Sequence, residues 1–162
     1  MKRPSLKHLD VLLATWFGSG FLKPAPGTWG TLAALPFAAF IHLYLGPIAL
    51  VILSFVVYLV GGWAAGQYSM RTESHDASEI VIDEVAGVFL TLSLAPMTPL
   101  YLVTGFLLFR VFDILKPFPI GYVDKNVKGG KGIMLDDMVA GAYAGACLFA
   151  IHQWGIFENV FG

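Results

Sequence analysis

"IALVILSFVVYLVGGWAAG", residues 48–66, runs nineteen residues without a charged side chain. At 1.5 Å of rise per residue a helix of that length crosses most of the roughly 30 Å hydrocarbon core of a bilayer. It shows no polar face for water. A helix that is apolar all round is either a membrane span or the core of a large protein, and 162 residues do not make a large protein.

The rest of the chain agrees with that reading. Hydrophobic residues make up 57% and charged residues 13%, about half the charge of an average soluble domain. Mean hydropathy is +0.72. A soluble domain of this size leaves too much surface exposed to hide so much apolar material. The composition implies an integral membrane protein, one domain over residues 1–162. Net charge is −1, which gives no basic field for nucleic acid. The single cysteine, Cys147, excludes an internal disulfide and a multi-cysteine zinc site, and its apolar, small-residue surroundings predict a buried, inert thiol. The basic N-terminus and its short apolar stretch resemble a signal peptide, but Asp10 and the lack of a small-x-small site before "KPAPG" argue against cleavage.

Further apolar runs lie at 29–45, 85–95, 100–112 and 138–154, broken by Gly46-Pro47, by the polar stretch 67–84, by "PMTP" (96–99) and by 113–135. The expected fold is all-α, a polytopic helical bundle with about four to five membrane segments joined by glycine- and proline-rich loops. Residues 1–28 form an N-terminal interfacial segment and glycine loop. Leu6, Leu9, Leu13, Trp16 and Phe17 suggest an amphipathic helix over 5–17 lying on the membrane. If every run crosses, all ten Lys and Arg residues and ten of the eleven acids fall on one side. The positive-inside rule makes that side cytoplasmic, which predicts a multi-pass protein with its chemistry on the cytoplasmic face.

Four stretches share that side. "GSGFLKPAPGTWGT" (18–31) holds four glycines and two prolines. Thr28 could cap the helix that follows, and the exposed backbone N–H groups could receive an anion; a plain turn before a capped helix explains the stretch as well. "HDASEIVIDEVAG" (75–87) places Asp83 and Glu84 side by side at the start of an apolar run. On one helix they point about 100° apart, so they could hold one ion between helices or two neighbouring ions, although the helix dipole alone accounts for one acid there. His75-Asp76 reads as a solvated loop pair. "RVFDILKPFP" (110–119) puts Arg110 and Asp113 on one helix face, where they could pair; Arg110 could equally snorkel to head groups. "VKGGKGIMLDDMVAG" (127–141) sets Asp136-Asp137 at the start of another apolar helix, and Ala140, Gly141, Ala144 and Gly145 follow at a spacing that lets helices approach closely and permits a homodimer.

Each acid alone has a bland explanation, but the recurrence of "DE", "D" and "DD" where a span meets one face does not. Carboxylates gathered at a low-dielectric boundary repel one another unless a cation neutralises them. All-oxygen ligation suits Mg2+ with substrate phosphate, and Arg110, Lys116, Lys128 and Lys131 offer phosphate partners. The pattern suggests phosphoryl chemistry on a lipid head group.

These motifs, in this order from about Trp16 to about Ile151, resemble the phosphatidylglycerophosphatase A family of bacteria: "PGTWGTLAALP", "HDASEIVIDEVAG", "RVFDILKPFPI", "DKNV" and "GGKGIMLDDMVAG". The resemblance implies a Mg2+-dependent enzyme, a phosphoric monoester hydrolase, that removes the terminal phosphate of phosphatidylglycerophosphate to give phosphatidylglycerol in acidic phospholipid biosynthesis. Asp83, Glu84, Asp113, Asp136 and Asp137 match its acids and are the expected catalytic residues, and Thr28 matches its glycine-proline loop. Asp83, Asp113, Asp136 and Asp137 are expected to hold Mg2+, with Glu84 a further ligand or the base that orients water. Arg110, Lys116, Thr28 and Lys131 are expected to bind the phosphate. Direct attack by water is the preferred route, and an aspartyl-phosphate at Asp113 or Asp136 is the alternative. A rival reading, a small cation-binding membrane transporter, would want acids near the bilayer midplane, where this chain carries none. A non-catalytic membrane scaffold is the other rival, and it would not require glycine loops beside a phosphate-like set of cations.

Overall fold

The computed structural model describes residues 4–74, 77–127 and 129–157. It is all helical, with no strand among the described residues. The helices are α1 (Leu9–Ala14), α2 (Pro26–Leu45), α3 (Pro47–Thr72), α4 (Ile82–Leu92), α5 (Pro99–Leu115), α6 (Ile120–Asn126) and α7 (Gly130–Gln153), with a 3-10 turn at Ser19–Phe21. Prolines at the first helical position start α2, α3 and α5, where a missing N–H costs nothing.

Among the described residues, α2, α3 and α7 are long and apolar enough to cross a membrane. Of the four or five segments expected from the sequence, three are thus candidate spans among the described residues. The shortfall has a physical reason: α4 has 11 residues and α5 has 17, about 16 and 25 Å at the helical rise. α4 is apolar because it lies inside the bundle, whereas α5 buries Tyr101, Gly105 and Phe109 and turns Val103, Leu107, Val111 and Ile114 outward. Val85, Ala86, Val88 and Phe89 are wholly buried, and the Ser54 hydroxyl of α3 donates to the Ala86 carbonyl at 2.7 Å.

Helix boundaries also move. The polar appearance of 67–84 hides the last turn of α3, and 113–135 contains the end of α5, all of α6 and the start of α7. Asp136-Asp137 accordingly lies well inside α7, not at its first turn. Thr28 does not cap α2. That helix begins at Pro26 with Ala25 at its N-cap in a left-handed conformation and no side-chain cap, so Thr28 is already inside the first turn. At the N-terminus α1 is shorter than the 5–17 expectation and is packed rather than free: Val11 and Ala14 are buried, and buried Asp10 receives Arg71 of α3 at 3.0 and 3.2 Å. Leu6, Leu9 and Phe17 remain exposed. Cys147 is half-buried rather than fully buried.

Small residues set the central crossing. A Cβ on Gly141 of α7 would strike the Gly87 carbonyl of α4, and one on Gly87 would sit 2.6 Å from the Asp137 carbonyl. The Thr91 hydroxyl spans the crossing, 3.0 Å from the Gly87 oxygen and 3.2 Å from that of Gly141. Close approach of two backbones brings the acid pairs of α4 and α7 to one place.

Candidate active site

The chain turns back on itself at each connection, so the start of α2, the start of α4, the end of α5, α6 and the start of α7 gather at one end of the bundle. There they surround a cavity of about 750 Å³. Its lining includes Asp83, Glu84, Asp113, Asp124, Asp136 and Asp137, six acids against the two cations Arg110 and Lys116. That excess negative charge in a partly dry space is unfavourable unless a cation enters.

The acids divide into sets. Asp83 and Glu84, adjacent on the first turn of α4, are joined by Asp137 of α7, and oxygen atoms of the three lie within 4.8 Å of one another. The Asp83 carboxylate also accepts the Glu84 backbone N–H at 3.1 Å. Burial raises the Asp83 carboxyl well above its usual range, and the charges of Glu84 and Asp137 push the same way. Burial raises Glu84 too, against the lowering pull of its hydrogen bond with Asp83 and of the Arg110 charge. On α5, Arg110 pairs with Asp113 at 2.6 Å, as its spacing predicted, and stands 3.5 Å from Glu84. Lys116, in a left-handed conformation at the end of α5, lies 2.6 Å from Asp124 and 2.7 Å from Asp136. Partial burial pulls its ammonium down, but its two carboxylate partners outweigh that and hold it raised.

Two buried oxygens, Glu84 Oε2 and Asp136 Oδ1, accept no hydrogen bond, and Arg110 Nε donates none. Orphaned acceptors of this kind are rare in folded proteins and call for a partner. A hard divalent cation suits this all-oxygen set. On the other wall, Gly27 in the first turn of α2 lies so close to Glu84 that a Cβ there would strike its Oε1. The glycine-proline loop thus presses its backbone against the acid cluster, which is why a glycine stands there.

The expected residues fall into place unevenly. Asp83, Glu84, Arg110, Asp113, Lys116, Asp136 and Asp137 all line the cavity, whereas Thr28 and Lys131 are not part of its lining; Thr28 is half-buried beside Gly27 and Lys131 is exposed. Of the residues expected to hold a metal, Asp83 and Asp137 come together with Glu84, while Asp113 and Asp136 are each engaged by a cation. His75, Asp76 and Lys128 lie outside the described residues. Asp124 is the site residue that reading the sequence missed. Its signal was "DKNV", but only α6 folding back toward Lys116 shows what the acid meets.

The Phosphatidylglycerophosphatase A family profile matches residues 12–152 of the chain. A Haemophilus influenzae protein named Phosphatidylglycerophosphatase A is 41% identical over 155 residues, covering 95% of each chain. The protein of that name from Escherichia coli K12 is 39% identical over 148 residues, 88% of this chain and 84% of its own. A Bacteroides thetaiotaomicron protein provisionally named phosphatidylinositol-3-phosphatase is 40% identical over 169 residues, 96% of this chain and 99% of its own. No solved structure matches the chain significantly.

Proposed function

The chain belongs to the phosphatidylglycerophosphatase A family and is a phosphatase, and we propose that it hydrolyses the terminal phosphate of phosphatidylglycerophosphate with the help of Mg2+. The observation that carries this reading is the acid cavity with its unpartnered Glu84 Oε2 and Asp136 Oδ1. The products would be phosphatidylglycerol and inorganic phosphate, a step of acidic phospholipid synthesis at the cytoplasmic face of the inner membrane.

Asp83, Glu84 and Asp137 would hold the ion, and Asp136 lines the same cavity with one oxygen unpartnered. When bound, Mg2+ would supply charge neutralisation and Lewis-acid polarisation of the phosphoryl oxygens. Arg110 offers a buried, unpartnered Nε to a phosphate oxygen, and its pairs with Asp113 and Glu84 fix the guanidinium in the wall. Lys116 adds positive charge where charge develops on the transferring group. The attacking water forms a bond to phosphorus while the ester P–O bond to the glycerol oxygen breaks. Glu84 would take the proton from that water through an oxygen not engaged by the ion, and the departing oxygen would be protonated from solvent. Asp113 and Asp136 are each ion-paired, which weakens them as nucleophiles and favours direct attack by water over an aspartyl-phosphate.

The test is phosphate release from phosphatidylglycerophosphate in mixed micelles, with Mg2+ and with excess EDTA. Because one relative bears the name of a phosphoinositide phosphatase, phosphatidylinositol 3-phosphate and phosphatidic acid belong in the same assay. Release that needs Mg2+ and is fastest on phosphatidylglycerophosphate is the expected result. No release from folded protein with any of the three lipids would sink the reading, and preference for the inositol lipid would reassign the substrate.

A further inference from the structure

Beside the cavity, next in sequence to its lining residues Lys116 and Asp124, two aromatic side chains are exposed. Phe118 is 82% exposed and Tyr122 is 62% exposed, and their rings lie 6.4 Å apart between centroids. Phe118 lies in the turn from α5 into α6, after Lys116, and Tyr122 lies on α6 with Asp124. On α6, Tyr122 and Asp124 are two residues apart, about 200° around the helix. One side of this short helix therefore addresses the cavity through Asp124, and the opposite side offers an aromatic ring to the surroundings. Ile120 is fully buried and anchors the helix to the bundle.

The patch is continuous with the outer face of α5, where Val103, Leu107, Val111 and Ile114 are exposed at the three- and four-residue spacing of one helix face. Ile114 is both exposed and part of the cavity lining, and so is Val127. The mouth of an acid cavity thus has an apolar rim that runs without a break into an apolar helix face. Lys125 and Lys131 are exposed alongside. Aromatic rings with neighbouring lysines at the end of an apolar face suit the head-group layer of a bilayer, and the lysines favour anionic lipid.

We propose that the α5–α6 corner is a bilayer-docking surface: Phe118 and Tyr122 seat in the head-group layer of an anionic membrane, and the lipid head group enters the cavity over Ile114 and Val127 while its acyl chains stay beside α5. This rests on the phosphatase reading for the identity of the head group, but the docking itself does not. Its consequence is specificity for phosphomonoesters presented by a membrane over the same head group free in water.

Two measurements test it. In the first, wild type and the double variant Phe118→Ser/Tyr122→Ser act on phosphatidylglycerophosphate in phosphatidylglycerol-containing vesicles and on its deacylated, water-soluble counterpart. The variant should show a KM for the vesicle substrate raised about tenfold, as expected when interfacial aromatic anchors are lost, with its rate on the soluble compound unchanged. Equal losses on both substrates, or no loss on either, would overturn the proposal. The second needs no activity. Phe118→Cys in a Cys147→Ser background, labelled with an environment-sensitive fluorophore and reconstituted in the same vesicles, should be quenched by lipid carrying a nitroxide at the head group and shielded from aqueous iodide. A label at 118 as open to iodide as one at Lys23→Cys, and untouched by the nitroxide lipid, would refute docking even if phosphate release is confirmed. Quenching by the lipid without phosphate release in the first assay would support docking and defeat the phosphatase reading alone.

Discussion

The α2–α3 hairpin and the α4–α7 crossing are both built from apolar sequence and do opposite things. In the apolar stretches of α2 and α3, 22% and 28% of the residues are buried within the protein, against 50% in α7. The hairpin turns Phe40, Leu43, Ile52, Phe55 and Leu59 outward, where any apolar side chain of moderate size would serve. The crossing turns glycine against glycine, and its reward is three carboxylates from two helices, Asp83, Glu84 and Asp137, close to one another. High hydropathy therefore marks two different demands, one of chemistry with the surroundings and one of exact shape.

The largest contrast is expected at the acids. Asp83→Asn or Asp137→Asn should lower phosphate release on the order of a hundredfold to a thousandfold, the scale for losing a preorganised electrostatic contact at a reacting centre, while a substitution such as Ile52→Ala on the hairpin leaves it unchanged. Comparable losses at both places would break the distinction. Next comes packing. Gly141→Val puts a side chain into the α4 backbone and should cost about 1–3 kcal/mol of stability, read as a lower midpoint of thermal unfolding in detergent. Ile52→Ala should stay within about 0.5 kcal/mol.

How much of this the sequence held depends on the kind of residue. The acid pairs and the Arg110–Asp113 pairing were legible because spacing along one helix determines them. The close approach of α4 and α7 was legible from Ala140, Gly141, Ala144 and Gly145. The burial of α4 was not, because apolar periodicity does not separate a helix buried in protein from one facing lipid. The grouping of Asp83 and Glu84 with Asp137 depends on where α4 crosses α7, and that of Asp136 with Lys116 on how the end of α5 returns to the cavity. No local pattern encodes that return. The place of Thr28 failed for a simpler reason: Pro26 can open a helix, and it does so two residues before the threonine.

Asp124→Asn should have a smaller effect than loss of a cluster acid, about tenfold on phosphate release, because it acts through Lys116 as an outer partner does. The loss should appear mainly in KM, as Lys116 is left with Asp136 alone. Thermal midpoints at different pH values give the gentlest test. Asp83 and Glu84 have raised carboxyl groups in the folded protein, so folding favours their protonated forms. Metal-free protein should then lose stability as pH rises from the ordinary carboxylate range of about 4 through the raised values. Saturating Mg2+ should flatten that slope, since the ion then balances the charges. A metal-free midpoint that climbs with pH would contradict the burial of these two acids.

The central claim is that the acids of α4 and α7 form one cation site. Electron paramagnetic resonance of Mn2+ added to the purified protein counts bound ion directly, without substrate and without turnover. The account predicts saturable binding that Mg2+ displaces and that Asp83→Asn and Asp137→Asn each abolish, while Ile52→Ala leaves it intact. Absence of saturable binding to folded wild type, or binding that survives both acid substitutions, would contradict it.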